Sequence, residues 1–135
     1  MIRTLLLALV VSLPITAYAR SESWGFVQSI GGMIVEAPVH SKDGWVLPVR
    51  ANVSGLETIT QKPTTMNSAL ICKYTEARIE ENSIYLTLVT GITHKGASPR
   101  CPPAELGNIV SGKYRVFYRG PGESPFSLRE VEIGP

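Results

Sequence analysis

The stretch ALICKYTEARIEENSIYLTLVTGI, residues 69–92, decides the fold because it holds two alternating apolar segments joined by a polar turn. Alternation with a period of two is typical of a β-strand with one buried face. We therefore predict strands over Ala69–Ile79 and Ile84–Ile92, with a turn at 80–83. The predicted inward faces hold these residues: Leu70, Cys72, Tyr74, Ile84, Leu86, Leu88 and Ile92. The other face of the second strand is also fairly apolar, so we expect that strand to lie centrally in its sheet.

Residues 33–53 predict a second hairpin upstream. Apolar residues alternate from Met33 to Val39 and again from Trp45 to Val53. The segment 41–44 between them ends in Asp-Gly, a turn signal, and predicts a rather long loop. The predicted inward residues are Met33, Val35, Ala37, Val39, Trp45, Leu47, Val49, Ala51 and Val53. Pro48 has no N–H to donate to a sheet, so it predicts an edge or a bulge.

The C-terminal quarter predicts a third pair of strands. Tyr114, Val116 and Tyr118 alternate with polar residues, and a Gly- and Pro-rich turn follows at 120–125. The last segment, 126–133, changes its apolar phase near Arg129, which predicts a β-bulge there.

Signals for helices are nearly absent from the chain. Residues 102–109 predict at most one helical turn. Residues 20–31 predict either a first strand around Trp24 and Phe26 or a loose arm. About six to eight short strands with turns between them predict an all-β fold, namely a small antiparallel β-sandwich with one domain over residues 20–135.

Residues 1–19, MIRTLLLALVVSLPITAYA, have the layout of a secretory signal peptide. Arg3 gives a positive start, an apolar run follows, and Ala17-Tyr18-Ala19 places small residues where a signal peptidase reads. The apolar run is shorter than the ~20 residues that a membrane span needs. We expect cleavage after Ala19, a periplasmic or secreted protein, and no membrane anchor after cleavage. No cysteine lies at the cleavage point, which argues against a lipid anchor.

The charge balance gives no support for nucleic-acid binding. The whole chain has a formal net charge of +2, and removal of the signal peptide would lower this charge by the one positive charge of Arg3. Binding to phosphate backbones rests on a clustered basic surface, and so small an excess does not provide one.

The chain has two cysteines, Cys72 and Cys101, and both follow the predicted signal peptide. In an oxidising compartment we expect them to form one disulfide. The closed loop of about 30 residues would stabilise the fold by roughly 3–4 kcal/mol. A reactive thiol or a metal site is the alternative, but each needs further partners that the spacing does not supply.

The segment LGNIVSGKYRV, residues 106–116, resembles the corner of immunoglobulin-like and fibronectin-like sandwiches, where a Tyr follows a Gly at the start of a late strand. The resemblance implies that the Tyr114 hydroxyl bonds to upstream backbone. Val116 stands where an antibody domain has its second Cys, so the bridge between Cys72 and Cys101 differs from the one in that family. The resemblance covers 11 residues and implies architecture, not activity.

No arrangement of reactive residues predicts an enzyme. His40, His94 and the single Asp, Asp43, have no metal-binding spacing, so we expect no metal and no cofactor. No Ser lies in G-x-S-x-G, and no pair of glutamates is singled out as a glycosidase pair. The Asn52-Val53-Ser54 sequon matters only in a eukaryotic secretory pathway.

Two features predict a surface for a partner. Basic residues alternate along and beyond the late strand and predict a stripe on one sheet face: Lys113, Arg115, Arg119 and Arg129. Glu130 and Glu132 on the neighbouring strand would neutralise it through cross-strand pairs. Trp24 lies close to the predicted mature start, and we expect it to be exposed and available for a contact.

Our first hypothesis is therefore a non-catalytic binding module whose partner is another protein or an envelope glycan. The alternatives are an inhibitor of an exported enzyme that presents the stapled loop 93–103, and a small hydrolase. A binding module predicts an exposed apolar patch or an open strand edge. An inhibitor predicts a protruding loop, and an enzyme predicts a cleft with paired titratable groups.

Overall fold

In a computed structural model of the chain, residues 19–135 are described; the predicted signal peptide lies outside them except for Ala19. The described part contains ten strands and one helix. Their bounds are β1 Arg20–Ser21, α1 Trp24–Ser29, β2 Ile34–Val35, β3 Val39–Ser41, β4 Gly44–Leu47, β5 Val49–Arg50, β6 Leu70–Glu80, β7 Ser83–Ile92, β8 Ala104–Gly107, β9 Gly112–Tyr118 and β10 Phe126–Ile133. The all-β prediction is confirmed, with more strands than predicted.

The pair β6–β7 is the longest ladder of the described chain, as the alternation of residues 69–92 predicts. The central position of β7 is confirmed. It pairs with β6 along one edge; along the other it pairs with β9 at residues 83–86 and with β1 at residues 89–90. The pairing with β9 is parallel, and β10 continues the sheet beyond β9. The sheet is therefore mixed: the pairing of β7 with β9 is parallel, and the other strand pairings of the described chain are antiparallel, as the sequence predicts.

The predicted hairpin over residues 33–53 is present, but it is interrupted. β2 pairs with β5 and β3 pairs with β4, while Pro48 separates β4 from β5 and cannot donate to a ladder. The turn is tight, because Ser41 pairs directly with Gly44. The predicted inward face is right for Met33 and Val35, which are buried. It is wrong for Val39 in β3, which is 50% exposed.

A β-bulge explains why the predicted face of β6 is only half right. The register of β6 against β7 shifts between Cys72 and Tyr74. A bulge adds a residue and reverses which side chains point inward. Cys72 is buried as predicted, but after the bulge Thr75 is buried and Tyr74 is 48% exposed. In β10 the register shifts between Ser127 and Arg129, so the predicted bulge there is confirmed.

Two segments differ from the predicted secondary structure. Trp24 and Phe26 lie in a short helix instead of a strand, because the Ser23 side chain caps it by accepting a hydrogen bond from Phe26 N at 3.1 Å. Residues 104–107 form strand β8 instead of a helical turn. The burial of Ala104 and Leu106 has the period of two that pairing with β4 imposes.

The core lies between the inner face of the five-stranded sheet and a second layer made of the small sheets and α1. This sandwich-like arrangement joins residues that are distant in the chain. The core members that are at most 1% exposed are Val27, Ile30, Leu47, Val53, Ile84, Leu86, Leu88, Ala104, Val116, Tyr118 and Ile133. Full burial of such side chains stabilises by about 1.5–3 kcal/mol each, before conformational entropy is subtracted.

Candidate functional site

The predicted disulfide between Cys72 and Cys101 is present, and it joins β6 to the segment that leads into β8. The two Cα atoms lie 4.9 Å apart. Backbone hydrogen bonds fix both ends, since Cys72 N donates to Ser98 O at 3.1 Å and Cys101 N donates to Ala51 O at 3.3 Å. The bridge therefore sets the starting point from which β6 and β8 run onward.

Beyond the bridge, β6 and β8 run side by side in the same direction without forming a ladder. The Thr75 hydroxyl donates to Pro102 O at 2.8 Å, one step past the disulfide. Further along, Ala77 and Ile79 of β6 line one groove together with residues 105–107 of β8. Within residues 19–135, β6 pairs only with β7 and β8 pairs only with β4. Both facing edges are therefore unpaired at this end of the molecule.

We call this groove the β6–β8 mouth; its volume is about 490 Å³. The residues that line it are Ser41, Asp43, Trp45, Val46, Ala77, Ile79, Glu105, Leu106 and Gly107. Its lining is mixed, with somewhat more polar than apolar surface, and Ile79 is 40% exposed in it. The aromatic side of the mouth is fixed by an edge-on contact between the Trp45 and His40 rings, whose centroids lie 4.9 Å apart. The carboxylates of Asp43 and Glu105 lie on its rim.

A second groove, of about 520 Å³, is closed by an ion pair. Arg100 Nη2 donates to Glu57 Oε1 at 2.7 Å. This hydrogen bond and a further one from the Asn52 side chain lower the pKa of the Glu57 carboxyl. Such a carboxylate stays ionised at neutral pH, which suits an ion pair and not a general acid. Asn52 itself is 4% exposed and bonds to Ser54, so the sequon is buried in the folded protein.

A third groove lies beneath α1 and has a volume of about 480 Å³. Phe26, Leu70 and Ile92 give it an apolar lining, and Glu22 lies at one end. Glu22 is 4% exposed. Its Oε1 accepts a hydrogen bond from Thr90 Oγ1 at 2.7 Å and lies 3.7 Å from Arg20 Nε. No local sequence pattern indicates this buried carboxylate, because its partner Thr90 is 68 residues away in the chain.

Trp24 is half-buried, in contrast to the exposed position expected from its place near the chain start. Its ring stacks on Phe126 with 4.4 Å between centroids and approaches Tyr118 at 5.5 Å. Its backbone N–H donates to Glu123 Oε1 at 2.7 Å. Phe126 is 46% exposed, so one ring of the pair faces solvent.

The predicted basic stripe is only partly assembled. Lys113 and Arg115 lie on the outer face of β9, and the register places Glu132 and Glu130 directly opposite them on β10. Cross-strand neighbours of opposite charge reduce the net field of this face. It is therefore a face of mixed charge and not a basic one.

The other two arginines of the stripe have specific partners. Arg119 lies over the Tyr85 ring at 3.9 Å and 3.5 Å from Glu80. Arg129 Nη1 donates to Val35 O at 2.8 Å. Arg129 and Lys113 line one surface groove together with Glu130 and Glu132, so the structure brings these two basic residues together beside carboxylates.

Two tyrosines of β9 have buried hydroxyl bonds. Tyr114 donates to Val110 O at 2.6 Å, which is the upstream backbone bond that the resemblance implied. Tyr118 donates to Glu22 O at 2.6 Å and accepts from Leu88 N at 3.1 Å. Burial raises the pKa of Tyr118 well above its usual value. The partners of Tyr118 come from β7 and from the chain start, so alternation alone did not predict them.

Among residues 19–135 no group of three or more His, Cys, Asp and Glu side chains is arranged to hold a metal ion. In the same part of the chain, no helix is long and apolar enough to cross a membrane. Comparison with family models, curated proteins and solved structures found no match.

Proposed function

We propose that this protein is an exported, non-catalytic β-sandwich that binds another protein through an open strand edge. The observation that carries the proposal is the β6–β8 mouth, where two unpaired edges flank a groove that contains the exposed Ile79 side chain. An unpaired edge presents a row of main-chain donors and acceptors, and folded proteins normally cover or blunt such edges. A partner strand that pairs there would satisfy these groups and bury Ile79.

Two features support export. The disulfide between Cys72 and Cys101 is of a kind that persists in oxidising compartments and is rare in the cytosol. The first described strand begins at Arg20, immediately after the predicted cleavage point. A chain cut after Ala19 keeps this strand and its pairing with β7.

The chemistry of the mouth favours binding over catalysis. Its walls combine Trp45, Ile79 and Leu106 with main-chain groups, and its two carboxylates lie on the rim. In the second groove the Glu57 carboxylate is held in an ion pair with Arg100. A protein partner is favoured over an envelope glycan, because strand edges recognise polypeptide backbone.

Capture from the native envelope or culture fluid tests the proposed function. The bait is the disulfide-bonded protein of residues 20–135, compared with an Ile79→Lys bait and a matched Val39→Lys control on the edge of β3. Both sites are exposed apolar strand positions, 40% and 50% respectively. We expect one partner protein to be recovered by the parent and by Val39→Lys and to be lost with Ile79→Lys. Recovery of no protein by the parent bait, or turnover of a glycan or peptide by it, would contradict the proposal.

An inhibitor is the second candidate, and the shape of loop 93–103 favours it. The bridge and the bonds of Ser98 and Cys101 fix the second half of the loop, while residues 93–96 are exposed. A rigid, stapled loop is able to enter a cleft with little loss of entropy. Recovery of an enzyme whose activity falls on binding, with the effect abolished by His94→Ala and Lys95→Ala, would establish this function instead.

A further inference from the structure

The mouth offers one strand edge in particular, the far half of β6. The register pairs Glu76 to Glu80 with β7 along one edge only. Within the described chain, no backbone–backbone hydrogen bond joins residues 76–80 to any element other than β7. Near the disulfide the same edge is occupied, because Cys72 bonds to Ser98 and Thr75 bonds to Pro102. The edge is thus closed at one end and open at the other.

Side chains along the open edge alternate between the two faces of the sheet. Ala77 and Ile79 point into the mouth, and Glu76, Arg78 and Glu80 are exposed on the outer face. A strand added to this edge would alternate in the same way. Every second side chain of the added strand would enter the groove beside Trp45 and Leu106, and the others would face solvent.

The charges at the rim specify the solvent-facing side chains of an added strand. Asp43 and Glu105 are the carboxylates that line the mouth, and Glu76 and Glu80 lie on the outer face of β6, where they would neighbour the outward side chains of an added strand. Arg78 is the basic residue among the outward positions of this edge, and Arg119 lies 3.5 Å from Glu80. Carboxylates therefore outnumber cations here, although the chain as a whole has a formal charge of +2.

We propose that the mouth binds an extended segment of another protein, in which apolar and basic residues alternate, by addition of a strand to residues 76–80 of β6. The inference rests on the proposed function and names its partner class. Main-chain hydrogen bonds give such a complex its affinity, and the pockets for alternate side chains give it specificity. The carboxylates of Asp43 and Glu105 select Lys or Arg at the positions that face the rim.

The test uses the disulfide-bonded protein of residues 20–135 and a synthetic peptide of about eight residues, a common strand length, in which valine and lysine alternate. We expect saturable binding with amide NMR shifts concentrated at residues 76–80. A peptide with N-methyl groups on alternate nitrogens keeps its side chains and charge but loses the edge bonds. It should bind at least about 10-fold more weakly, which corresponds to about 1.4 kcal/mol.

Variants of the protein separate charge from backbone pairing. The pair Asp43→Asn with Glu105→Gln should weaken binding about 3- to 10-fold and reduce its salt dependence, since exposed ion pairs are individually weak. Ile79→Lys should abolish binding. Glu132→Gln, on the far strand of the sheet, is the matched charge control and should leave the affinity unchanged.

Three results would overturn the inference. The first is equal affinity for the N-methylated peptide, which would leave only charge attraction. The second is NMR shifts that lie away from residues 76–80, or no binding at all. The third is a dimer of the chain that Ile79→Lys dissociates, which would make a second copy the occupant. If either of the first two results is obtained but the capture experiment still recovers a partner protein, the strand-addition inference fails and the proposed binding function stands. Failure of the inference is therefore distinguishable from failure of the proposed function.

Discussion

The buried hydroxyl of Tyr118 shows how single residues join distant parts of this fold. It donates to the backbone of Glu22, 96 residues away, and accepts from Leu88 N. The alternation of β9 predicts that Tyr118 points inward, and that prediction is confirmed. Its partners were not predictable, because a hydroxyl bond across two strands depends on register and not on local pattern.

Tyr118→Phe should lower the free energy of unfolding by about 1–3 kcal/mol, because it leaves Glu22 O and Leu88 N without their partner in the interior. The melting temperature should fall by about 4 °C for each kcal/mol. Tyr114→Phe, which breaks only the bond to Val110, is the matched control with an expected loss of about 1 kcal/mol. Thermal unfolding by circular dichroism measures both. An unchanged melting temperature for Tyr118→Phe would show that these bonds contribute no net stability.

The raised pKa of Tyr118 also predicts a dependence of stability on pH. Burial favours the neutral phenol, so the folded protein retains a proton that the unfolded chain releases above about pH 10. Its contribution to stability is therefore complete below that pH and is lost as the pH rises further. Urea unfolding between neutral and strongly basic pH should show a steeper decline for the parent than for Tyr118→Phe. Parallel declines in the two proteins would contradict the assignment.

At the scale of elements, the sequence predicted which strands pair better than it predicted which side chains face inward. The pairing of residues 69–92 was predictable because alternation and a polar turn lie within one segment. The phase after Cys72 was not, because the bulge before Tyr74 adds a residue without a local signal. The helix α1, in contrast, has a local sequence signal: Ser23 is a favoured N-cap residue, and Gly31 follows the end of the helix.

Replacement of both cysteines, Cys72→Ala with Cys101→Ala, should cost about 3–4 kcal/mol of unfolding free energy through loss of the loop constraint. The sequence separation is 29 residues. Urea unfolding of the parent with and without reductant, beside the double variant, measures the effect. The reduced parent and the variant should agree, since both remove the same cross-link. A loss below about 1 kcal/mol would mean that the bonds of Thr75 and Ser98 hold β6 and β8 together without the bridge.

The turn between β3 and β4 depends on Gly44, which borders the mouth. Its φ is +122°, and a Cβ there would lie 2.6 Å from Gly107 O. Gly44→Ala should therefore destabilise by about 1–3 kcal/mol through backbone strain and the clash. Gly96→Ala is the control, because Gly96 also has a positive φ of +83° but nothing lies within 4 Å. Thermal unfolding should show the larger loss for Gly44→Ala. Equal losses for the two variants would mean that the positive φ alone, and not the clash with Gly107 O, causes the destabilisation.

At the scale of the whole molecule, composition and alternation were sufficient for the layered all-β fold and for the disulfide. They were insufficient for the parallel pairing of β7 with β9, because contacts between segments about 30 residues apart leave no local pattern. The mouth was unpredictable for the same reason. It exists because β6 and β8 start together at the bridge between Cys72 and Cys101 and then fail to pair.

The proposed cleavage after Ala19 would keep the contacts by which β1 closes the sheet. Arg20 and Ser21 pair with β7, and Glu22 supplies the carbonyl that accepts the Tyr118 hydroxyl. Cleavage after Ser23 would remove all of these contacts, whereas cleavage after Ala19 keeps them. Mass spectrometry of the exported protein should therefore find Arg20 at the N-terminus and a mass two hydrogens below that of the dithiol form. A start beyond Glu22 would contradict this, because the buried phenol would then lose its acceptor in every exported molecule.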